Sequence, residues 1–409
     1  MIRSLRTAVT GLKSHQTRMD VVGNNIANVN TIGFKRGRAA FNEVLGQKLF
    51  SASRAAGGQG VNSSFIGFGV GVSAIDQNWN QGALESTSIA TDLALNGDGF
   101  FVVRGNDDRL MLTRAGNFSF DDEGFLVTNA GINVQGYAID ADGNVDTSQM
   151  QDITIDFSLQ APPRTTRNVT VAGNLSADAQ AGDEVNFSTV IYDEQGRAHT
   201  VLVTFTKTAN ANEWDYSVDY SGDLSPAPFQ SVNGTISFNV DGSLSDDTPI
   251  SLAFDAAYAT GGPTFNLDIS GITQYSGSNT VAVQNQDGYG RGQLIGYLID
   301  ANGLVTLNFS NGVQRALYQV AVASVKNPNG LENLGNSLYG ITTESGDPVF
   351  GRAGQEIQTA VVQGFLEMSN VDLATEFTDM IVAQRGYQAS ARVITTSDEL
   401  LQETVNLKR

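Results

Sequence analysis

A chain of 409 residues is long enough for two to four domains, and its 44 glycines beside only 16% charged residues suit many short strands joined by turns. With no cysteine, disulfides and thiolate metal sites are excluded, and two histidines leave little material for an imidazole-bound metal. Charge is split along the chain: residues 1–54 hold nine Lys/Arg against two Asp/Glu, a net of +7, whereas the other 355 hold 15 against 41, a net of −26.

The first predicted element is a helix over 3–28, about 39 Å long at 1.5 Å per residue. Leu5, Leu12, Met19 and Ile26 recur every seventh residue, with Ile2, Val9 and Gln16 in a second row. Arginines fall where a secretion signal would carry its apolar core. No apolar run in the chain approaches the roughly 18 residues of a membrane helix, so membrane insertion is not expected. The basic arm has the charge to bind nucleic acid. Its Lys and Arg residues interleave with an apolar seam, however, and no aromatic platform accompanies them, which favours an acidic surface of a neighbouring copy over a nucleic-acid partner. The helix runs out in GNNIANVNTIGFKRGR, where Asn24, Asn25, Asn28 and Asn30 crowd its end ahead of Gly33. Asparagine tolerates left-handed backbone, and its amide satisfies groups that a helix end leaves open. The stretch therefore reads as a bonded hinge between helix and linker, not as a catalytic site.

From there to about residue 365 the pattern is β. Alternating runs such as FFVVRG, LMLTRAG and GFLVTNAG are separated by DDEG, NDD and NG turn signals. GYAIDADGNV at 136–145 recurs as GYLIDANGLV at 296–305, each a strand, an Asp-x-Asp/Asn-Gly turn and a return strand. The Thr/Ser/Asn/Asp-rich segment between them has strands of its own. The simplest account is a β domain over 146–285 inserted into an inner β domain of 76–145 and 286–329, flanked by an extended linker region of 31–75 and 330–365.

The chain closes with a helix over 371–405, about 52 Å long, opened by a Ser369-Asn370 cap. Leu373, Met380, Tyr387, Ile394 and Leu401 form its seven-residue row, beside Phe377, Gln384, Ala391, Asp398 and Val405. Nothing near either end supplies a core, so 1–30 and 366–409 are expected to pair. The fold class is mainly β with terminal α-helices: a coiled coil of the two ends, a discontinuous β domain and a second β domain inserted in it.

Catalytic signatures are missing. There is no Walker phosphate loop and no Gly-x-Ser-x-Gly elbow. GFGVG at 67–71 is spaced too tightly for a dinucleotide fingerprint and precedes no helix. The turn after Asp140 mimics a calcium loop, which would want Gly and Glu where Val145 and Gln151 stand. His15 and His199 have no histidine partner for a metal. No catalytic residue, cofactor or metal is expected.

The run GLKSHQTRMDVVGNNIANVNTIGFKRGRAAF closely resembles the N-terminal signature of bacterial flagellar rod and hook axial proteins. TDLALNGDGFFVVRG and LTRAGNFSFDDEGFLVTNAGINVQGY are similar to the β region those proteins share, and the segment from Gly364 to Arg409 resembles their C-terminal helix. The resemblance implies a structural subunit of an axial tube, with terminal helices lining a channel and β domains layered outward. Within the family the inserted domain is the mark of the hook. That implies a curved, flexible polymer that joins rod to filament and transmits torque, a straight shaft of the distal-rod type being the alternative. The implied partners are further copies of itself as a helical homopolymer, the distal rod protein, the hook cap protein, the hook–filament junction protein and the flagellar type III export apparatus. The implied location is the hook of the basal body, outside the cell after export. The heptad rows become a polymerisation seam, and Phe41-Asn-Glu-Val-Leu45 fits the Phe-x-x-x-apolar pattern tied to the export gate. Gly386 stands where the family often has alanine, at a cost of about 1 kcal/mol of helix propensity.

Overall fold

The computed structural model describes residues 2–50, 53–54, 60–61, 63–105, 107–140, 142–221, 229–255 and 264–406. The chain forms two compact units, residues 1–156, 297–306 and 316–409 in one and 157–296 and 307–315 in the other.

Helix α1 spans Ile2–Ala27 and helix α2 spans Leu373–Asn406. α1 ends as its hydrogen bonds tighten: Asn28 N donates to the carbonyls of both Asn24 and Asn25, and Thr31 N to that of Asn28. Gly33 completes the turn at φ +67°, where a Cβ would lie 2.7 Å from Ala115 N. None of the four asparagines takes the left-handed backbone expected of them; the glycine carries it. α2 begins later than the Ser369-Asn370 cap would have it. Asp372 caps it instead, Oδ1 accepting from Ala374 N at 2.9 Å and Oδ2 from Thr375 Oγ1 at 2.9 Å.

After α1, Gly37–Glu43 pairs antiparallel with Val70–Gln77, Gln47–Phe50 with Ser64–Ile66, and Ser53–Arg54 with Gly60–Val61. The stretch read as an extended linker over 31–75 is thus largely a two-stranded ribbon. A lone hairpin is marginal in water, and α1 braces the base of this one: Val70 N donates to Thr10 Oγ1 at 3.3 Å, and Ser14 Oγ to the Val70 carbonyl at 3.4 Å.

In the main sheet, strand Phe100–Arg104 runs between Leu110–Thr113 and Asn133–Ile139, with Leu338–Gly340 and Gln314–Ser324 beyond them. Phe100 and Val102 face one core with Leu112, Tyr137 and Tyr339. Phe101 and Val103 face the other way, and all four are at most 3% exposed. An uninterrupted apolar run of this kind demands cover on both faces. Two short ladders lead to α2, Leu93–Gly97 with Thr359–Gln363 and Leu84–Ser86 with Phe365–Glu367.

The repeated hairpins have turns built alike. Asp140 Oδ1 accepts from Asp142 N and Asn144 N, Asp300 Oδ1 from Asn302 N and Leu304 N, and Gly143 and Gly303 close them at φ +85° and +76°. Backbone amides therefore occupy the aspartate that a calcium loop would offer to the ion. The return strand Val145–Asp152 pairs with Asn133–Ile139, and Ile153 and Ile155 after it are fully buried. The expected insertion limit at 146 falls inside that hairpin.

The second unit is a sandwich. Glu184–Tyr192, Ala198–Lys207, Glu213–Tyr220 and Val232–Ser237 form an antiparallel meander. The other sheet holds Ile250–Ala253, Thr264–Tyr275, Asn168–Ser176 and Ala282–Gln286, its middle two strands parallel. Val201, Val203 and Phe205, alternate residues of one strand, meet Trp214, Phe265 and Leu267 in a core whose members all lie between Val169 and Val283. Each such side chain contributes roughly 1.5–3 kcal/mol on burial. Arg164 and Tyr289 exchange backbone hydrogen bonds of 2.9 and 3.0 Å, closing the stem of the sandwich.

Candidate functional site in the paired terminal helices

α1 and α2 pack antiparallel. Asn25 bonds to Glu376, Arg18 to Asp379, a Cβ on Gly386 would lie 2.5 Å from the His15 ring, and one on Gly11 would lie 3.1 Å from Ser390 Oγ. The contact stripe of α1 therefore runs through positions 8, 11, 15, 18, 22 and 25, and that of α2 through 376, 383, 386, 390 and 397. Ala8, Val22 and Asn25 are buried on one helix, and Glu376, Ala383 and Ser397 on the other. Small and hydrogen-bonding side chains let the two backbones approach closely. Gly386 is thereby explained: the missing methyl leaves room for an imidazole.

The expected rows lie beside this stripe. Leu5, Leu12, Met19 and Ile26 are half-buried, as are Met380, Tyr387, Ile394 and Leu401. Val9, Leu373, Phe377 and Val405 are 36, 40, 51 and 69% exposed. Phe377 points about 120° away from Ala383 around the helix. The reason is physical. Bulky apolar periodicity marks surfaces that a helix must hide somewhere, whereas the contact inside this chain is made by residues small enough to admit the partner's backbone.

Where the helices meet the sheet, buried charges tie the chain ends together. Glu367 accepts from Lys35 Nζ at 2.6 Å, Arg114 Nη1 at 3.2 Å and Gly82 N at 2.9 Å, and the three charged side chains are at most 4% exposed. Lys35 also donates to the Asn80 carbonyl and Arg114 to that of Gly97, while the guanidinium sits 5.5 Å over the Phe100 ring. Burial pulls the Lys35 ammonium below its usual range, with the Glu367 charge opposing. Burial, and then Glu367, push the Tyr339 phenol up to about 12. One turn into α2, Glu376 is fully buried against Arg36 and Asn25 Nδ2, and Asp379 accepts from Arg36 at 3.1 Å and Arg18 at 2.9 Å. Asn25 also bonds both ways with Gly37, and Asn370 joins Arg36 N to the Asn78 and Asn80 carbonyls. Of the expected hinge residues, Asn25 is the bridge, Asn28 bonds back to Asn24 and receives Thr31 Oγ1, and Asn24 and Asn30 are exposed. Lys35, Arg114, Glu367 and Glu376 escaped the sequence reading. Their one local signal is a charge set inside apolar text, as in IGFKR and GFLEMS.

Four family models match the chain in order. They are described as Flagella basal body rod protein over 5–35, Flagellar hook protein FlgE/F/G D1 domain over 94–180, Flagellar basal body protein FlaE D2 domain over 165–289, and Flagellar basal body rod FlgEFG protein C-terminal over 362–407. Flagellar hook protein FlgE of Borreliella burgdorferi is 39% identical over the full length of both chains, and that of Treponema pallidum 36% with the same coverage. The Salmonella typhimurium protein of that name is 33% identical, over 99% of this chain and 100% of its own. The chain belongs to the flagellar hook protein family. The crystal structure of Helicobacter pylori flagellar hook protein FlgE2 matches with a TM-score of 0.52 over 69% of this chain and all of that one, at 15% identity, a likeness of fold. End-to-end identity to hook proteins sets aside the distal-rod alternative and places this hook protein in the flagellar hook.

Much of the basic arm of this hook protein is spent inside its own chain: Arg18, Lys35, Arg36 and Arg38 all pair with carboxylates of the first unit. Phe41 lies on the ribbon with its ring 6.4 Å from that of His15, and Leu45 at the following turn is 88% exposed. Among the described residues no helix is long and apolar enough to cross a membrane.

Proposed function

We propose that this hook protein polymerises through its terminal helices into a curved, flexible tube that joins rod to filament and transmits torque from the motor. The observation that carries the reading is the placing of the bulky rows. Leu373 and Phe377 stand on the outer side of a helix pair already closed by small residues, and Val405 lies on the part of α2 that overhangs α1, so further helices must cover them. Heterologous contacts that do not close into a ring generate a helical polymer. The seam and hinge residues act there as structural elements, with no catalytic role. The distal rod protein, the hook cap protein, the hook–filament junction protein and the type III export apparatus are the partners such a subunit meets, and Phe41 with exposed Leu45 is the segment offered to the export gate. Electron microscopy of purified chain under polymerising conditions tests this. Curved tubes are expected; straight shafts, or no polymer at any concentration, would overturn it.

A further inference from the structure

On the side of α1 turned away from α2, Leu5 and Val9 line a groove of about 680 Å³ with Val44 and Phe68 of the ribbon, and Arg3 and Arg6 stand at its edge. Val9, Val44 and Phe68 are 36, 40 and 40% exposed. Arg6 and Val9 point about 120–180° away from the His15 stripe, so the chain's own α2 cannot reach them. Among the described residues neither Arg3 nor Arg6 has a carboxylate within ion-pair distance.

One flank of α2 carries the complement. Val382, Val393 and Leu400 are 49, 42 and 53% exposed, and their spacing keeps them within about 20° of one another around the helix. Glu399 and Glu403 stand one turn apart at the edge of this flank, as Arg3 and Arg6 stand one turn apart at the edge of the groove. Neither glutamate is ion-paired among the described residues. We propose that the Val393–Leu400 flank of α2 from a second copy seats in the Leu5–Val9–Phe68 groove, with Glu399 and Glu403 facing Arg6 and Arg3. The inference rests on the polymer reading and names its contact. Opposite charge at matched spacing, on two apolar surfaces that a single chain leaves open, is what selects a second copy as the occupant.

The absence of cysteine makes the test clean. In filaments of the Leu5→Cys/Leu400→Cys variant, oxidation should link subunits into a covalent ladder. Within one chain the two positions are offset by about 6 Å along the helix pair, and a disulfide closed inside one chain would give no ladder. A Leu5→Cys/Val240→Cys pair, its second site fully exposed in the other unit, should stay monomeric. Filaments without a ladder would overturn the contact and leave polymerisation standing; failure of the unaltered chain to form filaments would sink the polymer reading itself. Charge reversal gives a second reading: Arg3→Glu/Arg6→Glu or Glu399→Arg/Glu403→Arg alone should cut filament yield about tenfold or more. The four changes together should restore it, and a combined variant no better than either half would also overturn the pairing.

Discussion

Glu367 is met by donors from three separate stretches of chain, at Lys35, Gly82 and Arg114. Removing a buried partner strands the charges left behind, so Glu367→Gln should cost about 3–5 kcal/mol in urea unfolding followed by circular dichroism. A loss under 1 kcal/mol would mean that water reaches the site. A second ion pair answers to pH. Arg352 grips Glu356 with Nε and Nη2, one edge of its guanidinium, and holds its carboxyl down at about 2, from an ordinary 4.5. The folded state therefore gives up this proton more readily than the unfolded chain does. The bridge contributes its full stability above pH 4.5 and loses it as pH falls toward 2. Glu356 is 41% exposed, so screening limits the effect to about 1 kcal/mol. Melting temperatures of wild type and Glu356→Gln should differ by a constant amount at neutral pH and converge near pH 2. At Gly386 two terms compete. Gly386→Ala gains about 1 kcal/mol of helix propensity but drives a methyl into the His15 ring. The substitution should weaken helix pairing in the wild-type background and strengthen it with His15→Ala, a coupling of about 0.5–3 kcal/mol in a double-mutant cycle.

Between elements, the helix pair separates internal closure from outward contact. Ala383 is fully buried against α1 and Phe377 is 51% exposed. Ala383→Asp should strip hydrogen-exchange protection from α1 and α2 in the monomer, because an unpaired carboxylate is trapped between them. Phe377→Asp should leave monomer protection unchanged yet prevent filaments, and so should Leu401→Asp at the half-buried end of the row. Normal filaments from Phe377→Asp would show that the bulky rows are not the polymer contact. The spans of both helices were legible because a seven-residue repeat is written locally, and the hairpins because Asp and Gly at fixed spacing close the same turn wherever they occur. Register was not. Leu5 and Phe377 catch the eye by size, while the packing partners are Gly11, Ser390 and Gly386, which carry no apolar signal. The ionic junction was hidden for a different reason: nothing within reach of Lys35 in the sequence announces a glutamate 332 residues away.

At the scale of the molecule, the sandwich carries a core entirely its own, from Val169 to Val283, and a stem pinned at Arg164 and Tyr289. A fragment of 164–290 should therefore fold unaided. Of the two tryptophans, it contains Trp214 alone, fully buried, so its fluorescence should be blue-shifted and should redden in one cooperative transition. Red-shifted emission in buffer would show that the sandwich needs the rest of the chain. The first unit behaves otherwise, since its closing bonds join the two extremes of the sequence: Asn25 to Glu376, Arg18 to Asp379, Lys35 to Glu367. Contacts of such separation form late, after the intervening chain has arrived. A polypeptide delivered amino end first, by ribosome or by secretion channel, would carry α1 unlatched for most of its delivery, with the bolt that secures it travelling at least 332 residues behind. Arrival of that bolt and the molecule's readiness to join its neighbours would then be the same event in time.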